Sequence, residues 1–158
     1  MSTAYVALGA NIGEPARTVR AAFDALAGLA GVRLATASSL YRTAPVGLTD
    51  QPDFINAVAC LETDLAPEAL LAALFAVEAR FGRRRGAKNG PRSLDLDLLL
   101  YDDRVLHVPG LTLPHPRLHL RAFVLAPLAE IAPGLALPGR GTVAAWLPAV
   151  ALQAIERL

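Results

Sequence analysis

A chain of 158 residues with 54% hydrophobic and 18% charged side chains can bury a core without covalent staples and is too apolar to be disordered. Its formal net charge of +1 hides a cluster of cations at Arg80, Arg83, Arg84, Arg85, Lys88 and Arg92 with no acidic residue among them, which argues against a broad nucleic-acid footprint and for a focused site for a small polyanion. The single cysteine, Cys60, excludes an intrachain disulfide and a cysteine metal centre.

The chain opens without a basic, apolar leader and contains no apolar run of membrane length, so one cytoplasmic domain over 1–158 is expected. Ala4–Leu8 is predicted as the first strand, ending in the turn-type sequence Gly9-Ala10-Asn11. A helix from Pro15 to about Ala30 follows, with Val19, Ala22, Phe23, Leu26 and Leu29 at helical spacing and Gly31 as its stop. Val32–Arg42 reads as a second strand, Thr43–Pro52 as a loop, and Phe54–Glu62 as a third strand. On that strand Phe54, Asn56, Val58 and Cys60 share one face, and Cys60 is expected to be simply buried. Pro67 opens a second helix that carries Leu70, Leu74, Val77, Glu78 and Phe81 and ends at Gly82.

The basic loop 83–93 leads into a fourth strand over 94–101, then Tyr101-Asp102-Asp103-Arg104 predicts a hairpin turn into Val105–Val108. Residues 109–120 look irregular, a helix covers Arg121 to Ile131, and the tail from Leu135 holds a short helix at Thr142–Leu147 without a defined role. The order β-α-β-β-α-β is that of a ferredoxin-like α+β fold, an antiparallel sheet with helices on one face. The C-terminal hairpin and helix would cover the other face and make an αβα sandwich.

Chemistry concentrates at Gly90-Pro91-Arg92-Ser93-Leu94-Asp95-Leu96-Asp97. Two residues apart on a strand, Asp95 and Asp97 point the same way as Leu99, with Leu94, Leu96, Leu98 and Leu100 opposite. Two neighbouring carboxylates are costly to keep ionised unless a cation joins them, and an all-oxygen ligand set suits magnesium. A surface strand salt-bridged to a solvated basic loop explains the same spacing and stays open at this point. Gly82-Arg83-Arg84-Arg85-Gly86-Ala87-Lys88-Asn89 misses the phosphate-binding-loop pattern at Ala87 and Asn89, so bound phosphates would rely on arginines and metal. The glycines of that loop allow it to act as a lid.

Taken in order, Gly9-Ala10-Asn11, Tyr41-Arg42-Thr43, Gln51-Pro52-Asp53-Phe54, the Gly90–Asp97 block, Pro114-His115 and Arg121-Ala122-Phe123-Val124-Leu125-Ala126-Pro127-Leu128 resemble a specific family. It is the 6-hydroxymethyl-7,8-dihydropterin pyrophosphokinase family of folate biosynthesis, and the resemblance covers about residues 4–134. It implies transfer of pyrophosphate from ATP to a pterin alcohol, with AMP released, by a monomer that binds small molecules and neither nucleic acid nor membrane. It further implies that Asp95 and Asp97 hold two magnesium ions, and that Phe54 and Phe123 sandwich the pterin while Asn56 and the Thr43, Pro45 and Val46 backbone read its edge. Arg83 and Arg85 would close on the phosphates, Arg92 would reach across phosphate and pterin, and Thr112, His115 and Arg121 would bind the nucleotide.

The sequence departs from the family pattern at Asn89 and Pro116, where aromatic residues are common, at Phe75, where a polar residue is common, and in a basic loop one residue short. A ferredoxin-like module that binds a small anion without chemistry, and an RNA-binding sheet, are the competing classes. Neither explains the paired carboxylates, and no aromatic RNA-binding motif lies on the strands.

Overall fold

The computed structural model describes residues 1–45, 50–82 and 93–158. Its elements run β1 (Ser2–Ala10), α1 (Pro15–Ala27), β2 (Val32–Ala37), β3 (Tyr41–Thr43), β4 (Phe54–Thr63), α2 (Pro67–Arg80) and β5 (Asp95–Tyr101). There follow β6 (Leu106–Val108), β7 (Leu111–Leu113), α3 (Ala122–Ile131), β8 (Ala136–Leu137), β9 (Gly141–Thr142), α4 (Val143–Trp146) and β10 (Ile155–Arg157). Among the described residues β1 is an interior strand antiparallel to both neighbours, with the edge strand β5 on one side and β4, the middle strand, on the other. Both β2 and β3 pair with β4, and β10 pairs with β3. The ferredoxin-like core of the sheet is thus extended at its far edge by the last strand of the chain.

Alternation along the strands assigns side chains to two separate cores. Ala4, Val6 and Leu8 of β1, Ala57, Ala59 and Leu61 of β4, and Leu96 and Leu98 of β5 pack with Val19, Phe23 and Leu26 of α1 and Leu70, Leu74 and Val77 of α2. On the other face Val58, Leu99 and Leu100 pack with Val124, Leu125 and Leu128 of α3, Val143 of α4 and Val150. The αβα sandwich follows, with α1 and α2 on one side and the C-terminal helices on the other.

Several boundaries differ from the sequence reading for identifiable reasons. The expected single strand 32–42 breaks into β2 and β3 because Ser38 substitutes its side chain for part of the ladder. Its Oγ accepts from the Val58 amide at 2.8 Å and donates to the Ser39 carbonyl at 2.8 Å. Helix α1 ends at Ala27 rather than Ala30, since Gly28 already caps it by donating to the Asp24 carbonyl. The expected turn at 101–104 forms, with the Arg104 amide donating to the Tyr101 carbonyl at 3.1 Å, but the strand after it, β6, pairs with β7 through a second turn at Gly110, at φ 81°. Asp102 accepts the Thr3 amide at 2.8 Å and ties the end of β5 to β1.

Leu100 does not share a face with Leu98. The register between β1 and β5 shifts between Tyr5 and Val6, which oppose Leu100 and Leu98, so Leu99 is an extra, bulged residue. Beyond the bulge Leu100 joins Leu99 on the α3 side. Cys60 is half-buried rather than fully enclosed and stands across the β1–β4 pair from Tyr5. Burial pushes its thiol up, which makes it a poor nucleophile.

Candidate active site

Across β5, β1 and β4, Asp95 opposes Gly9 and Gly9 opposes Asn56, while Asp97 opposes Ala7 and Ala7 opposes Val58. Strand pairing places Asp95, Gly9 and Asn56 in one row, on the face where α3 lies. Ala7, Leu8, Gly9, Asn56, Asp95, Asp97 and Phe123 line a small cleft that is open to solvent. Small residues at 7 and 9 leave room above the sheet. A Cβ on Gly9 would come within 3.0 Å of Asn56 Oδ1, so a side chain there would push into the floor of the cleft.

Asn56 is buried, and its Nδ2 donates to Thr43 Oγ1 at 2.8 Å. That bond uses one of the two amide hydrogens on the neighbouring strand and leaves the carbonyl oxygen on the Gly9 side. Asn11, which is 1% exposed, donates to Gln51 Oε1 at 2.8 Å and to the Pro52 carbonyl at 3.0 Å. The turn after β1 is thereby fastened to the segment that leads into Phe54 and Asn56.

The third wall comes from the chain before and at the start of α3. The His115 amide donates to the carbonyl of the bulged Leu99 at 2.8 Å, and His115 Nδ1 accepts from the Arg117 amide at 3.1 Å. Burial pushes the His115 imidazole down to about 4, and the guanidinium groups of Arg121 and Arg117 add to the shift while Asp95 opposes it. With Nδ1 accepting, the neutral ring carries its proton on Nε2, as a donor. Burial also lowers Arg121, against the pull of Asp97 and Asp95. Its guanidinium sits over the Phe123 ring at 5.3 Å, so the cation and the aromatic wall position one another.

Beneath the aspartates lies a carboxylate that periodicity had marked only as a helical position. Glu78 of α2 is 5% exposed, and its Oε2 accepts from the Leu96 amide at 2.8 Å. It holds the β5 backbone at the residue between Asp95 and Asp97. A buried acidic residue on an otherwise apolar helix face was the available signal.

The family model described as 7,8-dihydro-6-hydroxymethylpterin-pyrophosphokinase matches residues 5–133. The chain belongs to this family. A Pseudomonas aeruginosa protein named 2-amino-4-hydroxy-6-hydroxymethyldihydropteridine pyrophosphokinase is 48% identical over 154 residues, covering 98% of this chain and 95% of its own. A Haemophilus influenzae protein of the same name is 46% identical over 138 residues, covering 87% of this chain and 86% of its own. Among solved structures, Plasmodium falciparum HPPK-DHPS with pteroate superposes with a TM-score of 0.74 over 94% of this chain, at 13% identity. This chain spans 42% of that longer one, and the likeness supports the fold. The family and its named relatives make this chain a pyrophosphokinase, a transferase of folate biosynthesis that uses ATP as co-substrate. No helix among the described residues is long and apolar enough to cross a membrane.

Of the residues expected at the pyrophosphokinase site, Asp95, Asp97, Asn56 and Phe123 line the cleft together. Thr43 joins them through Asn56, His115 through the field of Asp95, and Arg121 through the fields of both aspartates. Phe54, half-buried at the start of β4 opposite Thr43, lies two residues from Asn56 and does not itself line the cleft. Pro45 is half-buried just past β3. Thr112 sits on β7 opposite His107, apart from the cleft lining. Val46, Arg83, Arg85 and Arg92 lie outside the described residues, as does Asn89.

Proposed function

We propose that this chain binds magnesium and ATP at Asp95 and Asp97 and transfers the terminal pyrophosphate to the hydroxymethyl oxygen of a 7,8-dihydropterin held against Asn56 and Phe123. The observation that carries this reading is that both carboxylates, a buried amide and an aromatic ring line one cleft together. The metal fits the donor set. Among the described residues no group of three or more His, Cys, Asp or Glu side chains could hold an ion. An ion here would take two carboxylate oxygens from the protein and the rest from water and phosphate, as magnesium does on nucleotide substrates. When bound, magnesium supplies charge neutralisation across the phosphates.

In the reaction the pterin oxygen forms a bond to the β-phosphorus, the bond from that phosphorus to the α-phosphate oxygen breaks, and AMP leaves. Such a transfer asks for alignment and charge stabilisation rather than covalent chemistry. Asn56, with one Nδ2 hydrogen on Thr43, would offer Oδ1 as an acceptor to the ring edge, and Phe123 would stack on the ring face. Phe54 would close the opposite face, with the Thr43, Pro45 and Val46 backbone beside it. Arg121 and the Nε2–H of neutral His115 would bind the nucleotide together with Thr112, and Arg83, Arg85 and Arg92 would add the remaining positive field. Reliance on ATP supports a cytoplasmic site of action, for which a monomer suffices. Incubation with ATP, magnesium and the pterin alcohol tests the proposal. AMP and a pterin diphosphate are expected; ADP, or unchanged ATP, would refute it.

A further inference from the structure

The tail after residue 133 lies beyond the stretch matched by the family model, yet it reaches the wall of the cleft at one point. Gln153 Oε1 accepts from the Ala122 amide at 2.9 Å, and its Nε2 donates to the Leu120 carbonyl at 2.9 Å. The two bonds bracket Arg121. Arg121 is the N-cap residue of α3 and offers no side-chain cap of its own, so a helix terminus that ordinarily uses Ser, Asp or Asn takes its cap from a residue 31 positions away. We infer that Gln153 is a positioning residue for the substrate site, fixing Arg121 and Phe123 at the start of α3. The inference rests on the assignment of those two residues to nucleotide and pterin.

The geometry that holds Gln153 is itself over-determined. Its amide donates to the Val150 carbonyl at 3.0 Å, closing a turn whose Val150 is buried in the α3-side core. Two residues after Gln153, β10 begins at Ile155, which packs against the same core and pairs with Thr43. Gln153 is itself exposed, but its backbone is anchored on both sides, and support of this kind is what holds a binding wall in place. Arg121 is left with a guanidinium that faces Asp97 and Asp95 while stacking on Phe123. Free rotation of the 120–122 peptides would move cation and ring together.

The test compares Gln153→Met, which keeps the length and loses both bonds, with Arg157→Ala, which frees the tail elsewhere by removing the contacts of Arg157 to Ser39 at 2.9 Å and Glu130 at 3.2 Å. Hydrogen exchange at the Ala122 amide, thermal midpoint, and affinity for a non-hydrolysable ATP analogue with magnesium and for 6-hydroxymethylpterin are measured in each. Q153M is expected to speed Ala122 exchange and weaken both ligands by roughly tenfold, short of the ~10²-fold that a 1 Å misplacement costs. R157A is expected to bind both as the wild type does. A lowered midpoint in Q153M with unchanged ligand affinity, or no change in any measurement, would overturn the inference. Arg121→Ala serves as the reference. If it leaves the affinity for the ATP analogue intact, the assignment of the site falls; if it weakens binding and Q153M does not, only the positioning role falls.

Discussion

The two faces of the sheet differ although the same strands build both. Toward α1 and α2 the strands present mostly aliphatic side chains that are almost wholly buried, joined by Tyr101 at the end of β5, and the two helices pack over them. Toward α3 the same strands present Val58, Leu99 and Leu100 under the helix, then Asn56, Asp95 and Asp97 beyond its start. One face is devoted to stability, and the other stops being a core where α3 begins. Because alternation along a strand separates the two sets, chemistry on one side can change without disturbing packing on the other.

The sharpest way to break that division is substitution of adjacent residues on β5. Asp97→Ala is expected to lower the rate of AMP formation by at least ~10²-fold, with a urea midpoint close to that of the wild type, since the side chain lines an open cleft and fills no core. Activity within a factor of two would refute the assignment of Asp97. Leu96→Ala, one residue away on the opposite face and 2% exposed, should do the reverse. A loss of about 2–5 kcal/mol in unfolding free energy is expected, with the remaining folded protein keeping its affinity for the ATP analogue.

Gly9→Ala probes the floor of the cleft. With its Cβ 3.0 Å from Asn56 Oδ1, the amide must shift, and the KM for the pterin should rise by roughly tenfold while that for ATP changes less. Equal effects on the two substrates would contradict the placement of Asn56 on the pterin side. Glu78→Ala, which crosses the division, leaves the buried Leu96 amide without its acceptor. Both stability, by about 1–3 kcal/mol, and the rate of AMP formation should fall together.

The smallest effect concerns pH. His115, pushed down to about 4 in the fold, binds fewer protons than the ordinary imidazole of the unfolded chain, near ~6.5. Between those values the unfolded state is the better proton acceptor, so stability rises with pH through this window and is lost as pH falls toward 4. Replacement by Gln should flatten the midpoint-against-pH curve there, and an unchanged slope would show that His115 does not carry it.

The α1/α2 face was legible in the sequence because its side chains obey simple periodicities: Val19, Phe23 and Leu26 at helical spacing, and Leu96 and Leu98 at strand spacing. Asp95, Asp97 and Asn56 were legible as well, since residue type and alternation placed them on shared faces. What escaped depends on single hydrogen bonds between distant residues. The side chain of Ser38 interrupts a strand that propensity would continue, and Glu78 meets Leu96 across a gap of 18 residues. β10 is three residues long and exists only because β3 offers it an edge, so no local pattern announces it. Cys60 and Leu100 were misplaced where a strand neighbour or a bulge, rather than the strand's own period, decides the environment.

The bulge at Leu99 has a consequence for how this chain tolerates change. Leu98, Leu99 and Leu100 look interchangeable, and exchange of one for Ile or Met should cost little. Their number is another matter. Removal of one would slip the strand by a residue, turning either the two aspartates toward α2 or Tyr101 toward α3, and would take away the carbonyl on which His115 is seated. In this run of leucines the count is under tighter constraint than the composition, and homologous strands are expected to vary in letter while keeping their length.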